Sequence, residues 1–397
     1  MKKPTDILYI HHDGAISGSA ISLRNLLLGL DRQRFSPRVL LTQDGPARKL
    51  YEALQIPVDI IPIREFPTCP GYKWHTLEHW KAWFCFVPNL KLNEYLRRVK
   101  PDLVHVNDKM MLGAGIAAKR VGIPIIWHSR STYKATYSWM NRLLSQFVIR
   151  RYADHIIAIS EDETEDFDDL PNLSIIYNSV DFDQVSQALT QKSSIVNEFS
   201  LQGRIVIGTV SSGINEMRGT FDFIRAVSIV KKQLPDKNFK FIIVAPIPQE
   251  PFLENYRRAV NLAHEVQIEQ ELVFTGFRND VLAFMSVMNV ILLCNRHRAL
   301  GRMSFEAMAL GRPVVVTVGH SGKSRVAIDG ETALIVPPDD PKAMASAILK
   351  LLDSPDLCSQ LGERGAAYTR QHFDPQRNTQ LVEGIYRKLL EKANSEK

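Results

Sequence analysis

An arginine and a glutamate stand eight residues apart in the stretch RHRALGRMSFEAMALGRPVV, which covers residues 296–315. A glycine-containing turn separates Arg298 from Glu306, and the pattern predicts a short helix over about 303–310 followed by a buried strand. The free N–H groups and the dipole at the start of such a helix attract anions. Glu306 lies one turn inside the helix, where a carboxylate is suited to accepting hydrogen bonds from hydroxyl groups. The stretch therefore predicts a site for a ligand that has both kinds of group.

Short β-branched runs alternate with amphipathic helical stretches along the whole chain. This alternation predicts an α/β protein with parallel sheets covered by helices. Seven strands are predicted before a less regular stretch at about 182–203, and six after it. We therefore expect two Rossmann-like, doubly wound domains, over 1–190 and 203–377. The last helix is expected to return to the first domain, which residues 378–397 would complete.

Polar residues recur where the predicted strands end. In open α/β sheets ligands collect outside the carboxyl ends of the strands, so these positions are candidate site residues. If the two domains face each other across a cleft, the strand ends would line it and bind a small polar ligand. The residues selected in this way are His11, His12, Asn107, His128, Ser160 and Asn178 in the first domain, and Val210, Gly276, Phe277 and Asn295 in the second.

Composition favours a cytoplasmic enzyme. Of the 397 residues, 45% are hydrophobic and 23% are charged, which is ordinary for a globular protein. The N-terminus lacks the pattern of a signal peptide, and no apolar run approaches the length of a membrane span. The four cysteines are scattered, with neither metal-type pairing nor a disulfide framework.

Positive charge is concentrated in the first part of the chain. Residues 1–153 contain 23 lysines and arginines against 11 acids, whereas residues 154–183 contain ten acids and no lysine or arginine. The aromatic stretch at 74–86 lies in the basic part, which fits peripheral contact with an anionic membrane, a lipid-linked acceptor, or simply helix packing on the sheet. No zinc-finger, RRM or arginine-rich pattern indicates nucleic-acid binding.

The segments IAIS, YNSVD and FEAMALGRPVV, in this order, resemble the retaining glycosyltransferases of the GT-B fold, specifically glycosyltransferase family 4. The resemblance covers nearly the whole chain, and it implies an acceptor-binding first domain and a donor-binding second domain. In the first domain Gly18 and Ser19 occupy the place of the family's glycine-rich loop. His128 matches a strand-end histidine that the family places near the transferred sugar, so we predict a catalytic position for it.

In the second domain the family holds the donor diphosphate with an arginine and, six residues later, a lysine followed by glycine. Arg218 and Gly219 match the second pair, so the resemblance implies a catalytic role for Arg218 in stabilising the departing diphosphate, whereas Ser212 stands where the first cation is expected. Glu306 matches a glutamate that accepts hydrogen bonds from the nucleotide ribose. The donor-binding residues implied are Gly18, Ser19, Ser212, Arg218, Phe277, Arg298, Gly301, Arg302, Met303, Ser304 and Glu306.

Arg298 departs from the family pattern, because a glutamate that contacts the donor sugar is usual at this position. Three explanations remain open at this stage. Arg298 could grip an anionic donor such as a uronic acid, it could replace the diphosphate cation missing at Ser212, or the site could have lost catalysis. The second explanation accounts for both departures at once, and we prefer it.

The resemblance implies transfer of a sugar from a nucleotide-diphosphate sugar to the hydroxyl of a glycan or lipid-linked acceptor. It further implies retention of anomeric configuration, no metal and no cofactor beyond the nucleotide sugar, which is a co-substrate. We read Asp181 and Asp183, which have Asp-x-Asp spacing, as ordinary turn residues. The alternatives are a sugar-nucleotide epimerase and a catalytically inactive GT-B homologue that acts as a binding partner.

Overall fold

Parallel β-strands form two separate sheets in the computed structural model, which describes residues 3–63, 90–131, 139–247, 249–250, 253–296, 301–317 and 325–395. Contacts divide the chain into two units. The first consists of Met1–Ser179 with Asp374–Lys397, and the second of Val180–Phe373. Each unit has its own sheet and its own buried core, so each is described by itself.

The first unit has a seven-stranded sheet in the order β3-β2-β1-β4-β5-β6-β7, with every pair parallel. Its central strands are almost wholly buried, because helices cover both faces and the strands are continuous apolar runs. The strands are β1 (Thr5–His11), β2 (Phe35–Leu41), β3 (Val58–Ile60), β4 (Leu103–Val106), β5 (Ile125–Ser129), β6 (His155–Ala158) and β7 (Leu173–Ile175), and the helices between them are α1 (Gly18–Gly29), α2 (Ala47–Glu52), α3 (Leu90–Val99), α4 (Leu112–Arg120) and α5 (Trp139–Tyr152).

The second unit has a six-stranded parallel sheet in the order β10-β9-β8-β11-β12-β13. Both sheets follow the doubly wound plan that the sequence predicts, and all the predicted strands are present. The strands are β8 (Ile205–Val210), β9 (Phe239–Val244), β10 (Leu272–Phe274), β11 (Val290–Leu293), β12 (Val314–Thr317) and β13 (Leu334–Val336), and the helices are α6 (Phe182–Thr190), α7 (Lys192–Glu198), α8 (Thr220–Gln233), α9 (Leu253–Glu265), α10 (Val281–Val287), α11 (Arg302–Ala309), α12 (Pro341–Asp353) and α13 (Pro355–His372).

The final helix, α14 (Pro375–Ser395), belongs to the first unit. Its apolar face packs into the core beside β1, where Val382, Ile385 and Tyr386 are buried. The division by contacts places the first change of unit between Ser179 and Val180. The sequence predicts a later boundary, at 190–203. Because the observed boundary precedes residue 182, α6 and α7 belong to the second unit.

Its composition predicts that the acidic stretch from Ser160 to Asp169 is a solvated helix face, and the fold confirms this prediction only in part. Ser160 caps a short 3₁₀ helix (Glu161–Thr164), and its hydroxyl donates to Glu163 at 2.6 Å. Glu163 is only 3% exposed, and Asp166 is buried beside Arg142 and Gln146. The prediction holds for exposed Glu165, Asp168 and Asp169. It was wrong for Glu163 and Asp166, because Lys109 lies near the first and Arg142 of α5 bonds the second, which a composition count cannot show.

Within the described residues, no helix is both long enough and apolar enough to cross a membrane.

Candidate functional site

Three of the strand-end residues of the first unit meet around one arginine. Arg130 follows β5, and its guanidinium donates to Asn107 Oδ1 at 2.6 Å, Asn178 Oδ1 at 2.5 Å and His128 Nδ1 at 3.3 Å. The three acceptors follow or end different strands, so Arg130 ties together the carboxyl edge of the sheet. The strand-end rule therefore selected side chains that do lie together in the fold.

The hydrogen bonds assign the tautomer of His128. A guanidinium can only donate, so His128 Nδ1 is an acceptor and the ring proton lies on Nε2. His105 Nε2 also contacts His128 Nδ1, at 3.0 Å, and must be the donor. His105 Nδ1 then accepts from the Tyr386 hydroxyl at 2.7 Å, and that hydroxyl accepts from Tyr9 at 3.0 Å. A buried relay that includes the last helix thus fixes how the histidine presents its N–H.

His128 is neutral in this setting. Burial lowers its pKa well below the usual value, and the positive charge of Arg130 lowers it further. The side chain is 3% exposed, and its Nε2 atom has no hydrogen-bond partner among the described residues. His128 therefore offers a neutral N–H donor and is poorly suited to act as a general base.

His11, His12 and Asp13 form a cluster whose ligand atoms lie within 4.8 Å of one another. The surrounding hydrogen bonds oppose metal coordination by His11. Asn107 uses its oxygen for Arg130, so its amide nitrogen donates to His11 Nδ1 at 2.9 Å and the ring proton lies on Nε2. Coordination through Nε2 would move that proton to Nδ1, against an N–H donor. The cluster is better described as two histidines beside the Asp13 carboxylate. Burial raises the pKa of Asp13, but the hydrogen bonds from His11 and His12 outweigh it and hold that pKa well below its usual value.

Gly18 and Ser19 open helix α1. Ser17 caps the helix by accepting from the Ala20 N–H at 3.3 Å, and Ser19 accepts through its carbonyl from Asn107 Nδ2 at 3.3 Å. Ser19 is thereby joined to the cluster at the strand ends. Gly18 is exposed, and a Cβ atom there would meet no other atom within 4 Å.

Arg218 and Gly219 form the turn before helix α8 in the second unit. Gly219 adopts a φ of 66°, and a Cβ atom there would lie 2.2 Å from the Cys294 carbonyl oxygen. Only glycine fits, and it brings the start of α8 against the end of β11. Arg218 is half-buried, and burial lowers its pKa. No carboxylate lies within ion-pair distance of it in the described part of the chain, so its charge is available to a ligand.

A neighbouring arginine differs in this respect. Arg296 donates to both oxygens of buried Asp222, at 2.9 and 2.7 Å, and to Asp339 at 2.5 Å, so its charge is already neutralised. Ser212, in the loop after β8, is exposed and brings no cation. The Ser211 hydroxyl holds that loop through the Gly213 carbonyl at 2.7 Å.

The predicted helix around Glu306 is α11, which begins at Arg302 and ends at Ala309. Gly301 is its N-cap and provides no side-chain cap, so the N–H groups of Arg302 and Met303 have no helical acceptor. The Ser304 N–H bonds the Gly301 carbonyl at 3.0 Å. Glu306 is buried, and its carboxylate accepts from the Arg302 guanidinium. Burial raises the pKa of Glu306, and Arg302 opposes that shift.

Of the two remaining predicted residues, Phe277 is described by the structure and Arg298 is not. Phe277 follows β10 and Gly276, and its side chain is 68% exposed, which leaves an aromatic face open at a strand end. Arg298 lies outside the described residues, as does the aromatic stretch at 74–86. Their roles remain predictions from the sequence.

Sequence reasoning missed Arg130, His105 and Tyr386. Arg130 stands two residues beyond His128, so extending the strand-end rule by one residue past the strand would have found it. His105 lies inside β4 and Tyr386 lies in a helix far along the chain. No local signal connects these two residues to His128.

Two protein-family models match the chain. The model described as Glycosyltransferase Family 4 matches residues 16–184, and the one described as Glycosyl transferases group 1 matches residues 204–354. An alpha-D-kanosaminyltransferase of Streptomyces kanamyceticus is 26% identical over 52% of this chain and 52% of its own length. The lipopolysaccharide core biosynthesis mannosyltransferase LpsB of Rhizobium meliloti is 24% identical over 68% of this chain and 74% of its own length.

Among solved structures, Alr3699/HepE of Anabaena in complex with UDP superimposes with a TM-score of 0.79. The superposition covers 97% of this chain and 100% of that one at 19% identity, which establishes a common fold. The chain spans about half the length of the first curated relatives that it matches. From the two family models, one on each sheet domain, and the shared fold, we conclude that the chain belongs to the group 1, family 4 glycosyltransferases of the GT-B fold.

Proposed function

We propose that this protein transfers a sugar from a nucleotide-diphosphate sugar to an acceptor hydroxyl, with retention of anomeric configuration and without a metal. The observation that carries the proposal is Arg218, an arginine without a carboxylate partner in the described residues, held by Gly219 at the start of α8. A departing diphosphate needs such a cation, because negative charge grows on its oxygens as the glycosidic bond breaks.

Helix α11 supplies the second part of the donor site. Gly301 provides no side-chain cap, so the N–H groups at the start of this helix are free to bind an anion such as a phosphate, and Glu306 lies one turn further on. The Glu306 carboxylate has more acceptor positions than its bond to Arg302 uses, so ribose hydroxyls can share it. A diphosphate beside a diol is the ligand chemistry that this arrangement matches, and Phe277 adds an exposed aromatic face that suits a nucleobase.

Arg298 is proposed as the second cation of the diphosphate site. Ser212 provides no charge at the expected position, and Arg296 is occupied by Asp222 and Asp339. Arg298 is therefore the residue that we propose to balance the second negative charge of the diphosphate. If Arg298 instead grips a uronic acid, Arg298→Glu will weaken binding of uronic donors and leave UDP binding unchanged, which calorimetry can decide.

The chemistry proposed is a substitution at the anomeric carbon. The bond from that carbon to the diphosphate oxygen breaks with its electron pair going to the diphosphate, and the acceptor oxygen forms the new bond on the same face. The acceptor proton leaves to the departing phosphate oxygen, so no protein base is needed. His128 positions the sugar by donating from Nε2–H, which agrees with its neutral state.

Related proteins support this substrate class. Alr3699/HepE is described in complexes with UDP and with UDP-glucose, and LpsB is described as a mannosyltransferase of lipopolysaccharide core biosynthesis. We extend the glycan or lipid-linked acceptor class to this chain, together with peripheral contact with an anionic membrane from the cytoplasmic side. Sedimentation with anionic vesicles, compared with neutral ones, tests the membrane contact, and absence of co-sedimentation with either would exclude it.

The test is calorimetric binding of UDP, GDP and inorganic diphosphate to wild type and two variants. Arg218→Ala is expected to weaken UDP and diphosphate alike, by at least tenfold. Glu306→Gln is expected to weaken UDP while leaving diphosphate nearly unchanged, because only the nucleotide has ribose hydroxyls. Arg257→Ala is the control, since Arg257 is an exposed arginine of α9 paired with Glu250 and Glu254.

Turnover then separates the proposed activity from its rivals. Transfer with a nucleotide sugar and an acceptor, unaffected by EDTA and with retained configuration by NMR, is expected. Product without an acceptor would indicate an epimerase, and tight nucleotide binding without turnover would indicate a non-catalytic partner. Failure of wild type to bind any nucleotide at millimolar concentration would refute the donor site.

A further inference from the structure

We propose that the first unit binds an anionic group of the acceptor, a phosphate or a carboxylate, in the recess lined by Arg130 and His128. This proposal deepens the proposed function and rests on it for the identity of the acceptor. The binding of the anion itself can be tested independently.

The first observation is the charge balance of Arg130. Its guanidinium bonds three neutral acceptors, and no carboxylate of the described residues lies within ion-pair distance. Two other arginines of the same unit are paired with acids: Arg142 bonds Asp166, and Arg150 bonds both oxygens of Asp169. Buried or partly buried charges are normally paired, so an unpaired guanidinium at the carboxyl edge of a sheet calls for a counter-charge from a ligand.

Burial also changes the pKa of the Arg130 guanidinium. Burial lowers the pKa of Arg130 to about 10, and the more distant Asp108 only partly offsets this effect. Arg130 nevertheless stays protonated at neutral pH, so the positive charge persists there at a cost in desolvation.

The second observation is the lining of the recess around Arg130. None of the other residues that line it is acidic: they are Ser22, Leu26, His128, Ile176, Tyr177, Asn178, Ser179, Asn378 and Val382. A guanidinium in a recess without a carboxylate suits an oxyanion. The enclosed part of the recess measures only about 10 Å³, and the rest of it is open to solvent. It therefore suits a single charged substituent bound at its mouth rather than a whole nucleotide sugar.

The acceptor is the better source of this anion. In the proposed donor site, Arg218, Arg298 and the start of α11 already bind the diphosphate, and all three belong to the second unit. Arg130 belongs to the first unit, and its own hydrogen-bond partners there are two neutral amides and a neutral histidine. A donor diphosphate that reached Arg130 is the alternative source, and the experiment separates the two.

The experiment follows thermal unfolding and calorimetry of the full chain with inorganic phosphate, in the presence of saturating UDP so that the donor site is filled. Sodium chloride of equal ionic strength is the salt control. Phosphate is expected to raise the unfolding temperature of wild type and of Arg150→Gln, the matched arginine whose charge is already paired. Arg130→Gln is expected to lose the phosphate response while its UDP affinity stays within twofold of wild type.

The variant without ligand gives the baseline. Arg130→Gln removes an unpaired charge but also the hydrogen bonds to Asn107, Asn178 and His128, so its unfolding temperature without phosphate is expected to lie below that of wild type. The readout is therefore the change in unfolding temperature that phosphate causes in each variant. Arg130→Lys, which keeps the charge but loses the planar fork, is expected to recover part of the phosphate response and thereby to exclude misfolding as the cause of the loss.

The outcomes separate this inference from the proposed function. A phosphate response that Arg130→Gln and wild type share would overturn the acceptor-anion site, and a loss of UDP affinity in Arg130→Gln would assign the anion to the donor. If wild type binds no UDP yet responds to phosphate through Arg130, the anion site stands and the proposed function fails. With an active enzyme, phosphorylated or carboxylated sugars are expected to be better acceptors than their neutral parents, by at least tenfold in kcat/KM.

Discussion

Glu163 shows how much the fold changes the chemistry of a single residue. Its carboxyl group lies in the buried acidic stretch, accepts from Ser160 and lies near Lys109. Burial raises the pKa of Glu163 to about 7, whereas the usual value is 4.5. The folded state therefore binds a proton at this site in a pH range where the unfolded state does not, and stability at this site rises as pH falls from 7 to 4.5.

A pH series on Glu163→Gln tests this shift. Because glutamine cannot titrate, wild type is expected to gain on the order of 2 kcal/mol of unfolding free energy relative to the variant between pH 7 and pH 5. Urea denaturation at several pH values measures the difference. His11, His105 and His128 have lowered pKa values and act in the opposite direction in both proteins, so only the difference is informative. A difference independent of pH would contradict the shift.

The sequence predicted which residues lie at the strand ends better than it predicted the side chains to which they are hydrogen-bonded. Asn107, His128 and Asn178 were found because a strand end is a position that can be read locally. Arg130 was missed because its importance depends on side chains from three strands that come together only in the folded sheet. Asp166 was misread for the same reason, since its partner Arg142 lies on helix α5.

Helix α4 illustrates how elements pack on the sheet. A Cβ atom at Gly115 would lie 2.1 Å from the Trp127 ring, so this glycine lets the helix approach β5 closely. In a free helix glycine is less favourable than alanine by up to about 1 kcal/mol, so here packing outweighs helix propensity.

Two glycine variants test that balance. Gly115→Ala is expected to destabilise the protein by about 1–3 kcal/mol, because the added methyl group overpacks the Trp127 site. Gly384→Ala, in α14, is the control, since no atom lies closer than 3.9 Å to the added Cβ, and it is expected to stabilise by up to about 1 kcal/mol. Urea denaturation measures both. Stabilisation by Gly115→Ala would show that α4 has room to move away from the sheet.

Element boundaries were less predictable than element types. The apolar run at 58–63 predicts a six-residue strand, but β3 ends at Ile60. Among the described residues this strand lies at the edge of the sheet and pairs with β2 alone, and the apolar residues beyond Ile60 add no further strand pairs. The runs at 6–12 and 124–129 predict β1 and β5, and each strand is found within one residue of those limits.

At the scale of the molecule, the second unit is an insertion within the first. The chain leaves the first unit at Ser179 and returns to it at Asp374. The Val180 N–H donates to the Phe373 carbonyl at 2.9 Å, so the two ends of the second unit lie side by side. The sequence predicted the return of the last helix, but not that these crossing points are hydrogen-bonded neighbours.

This topology predicts that residues 1–179 joined to 374–397 by a short Gly-Ser linker fold without residues 180–373. Helix α14 would supply the buried Val382, Ile385 and Tyr386, and the hydroxyl bonds of Tyr386 to Tyr9 and His105. Cooperative urea unfolding followed by circular dichroism is expected for the fusion and not for residues 1–179 alone. Tyr386→Ala in the fusion should cost about 3–5 kcal/mol if the helix docks as it does in the whole chain. Equal stability of residues 1–179 with and without the helix would refute its structural role, whereas a fusion insensitive to Tyr386→Ala would show that the linker had misplaced it.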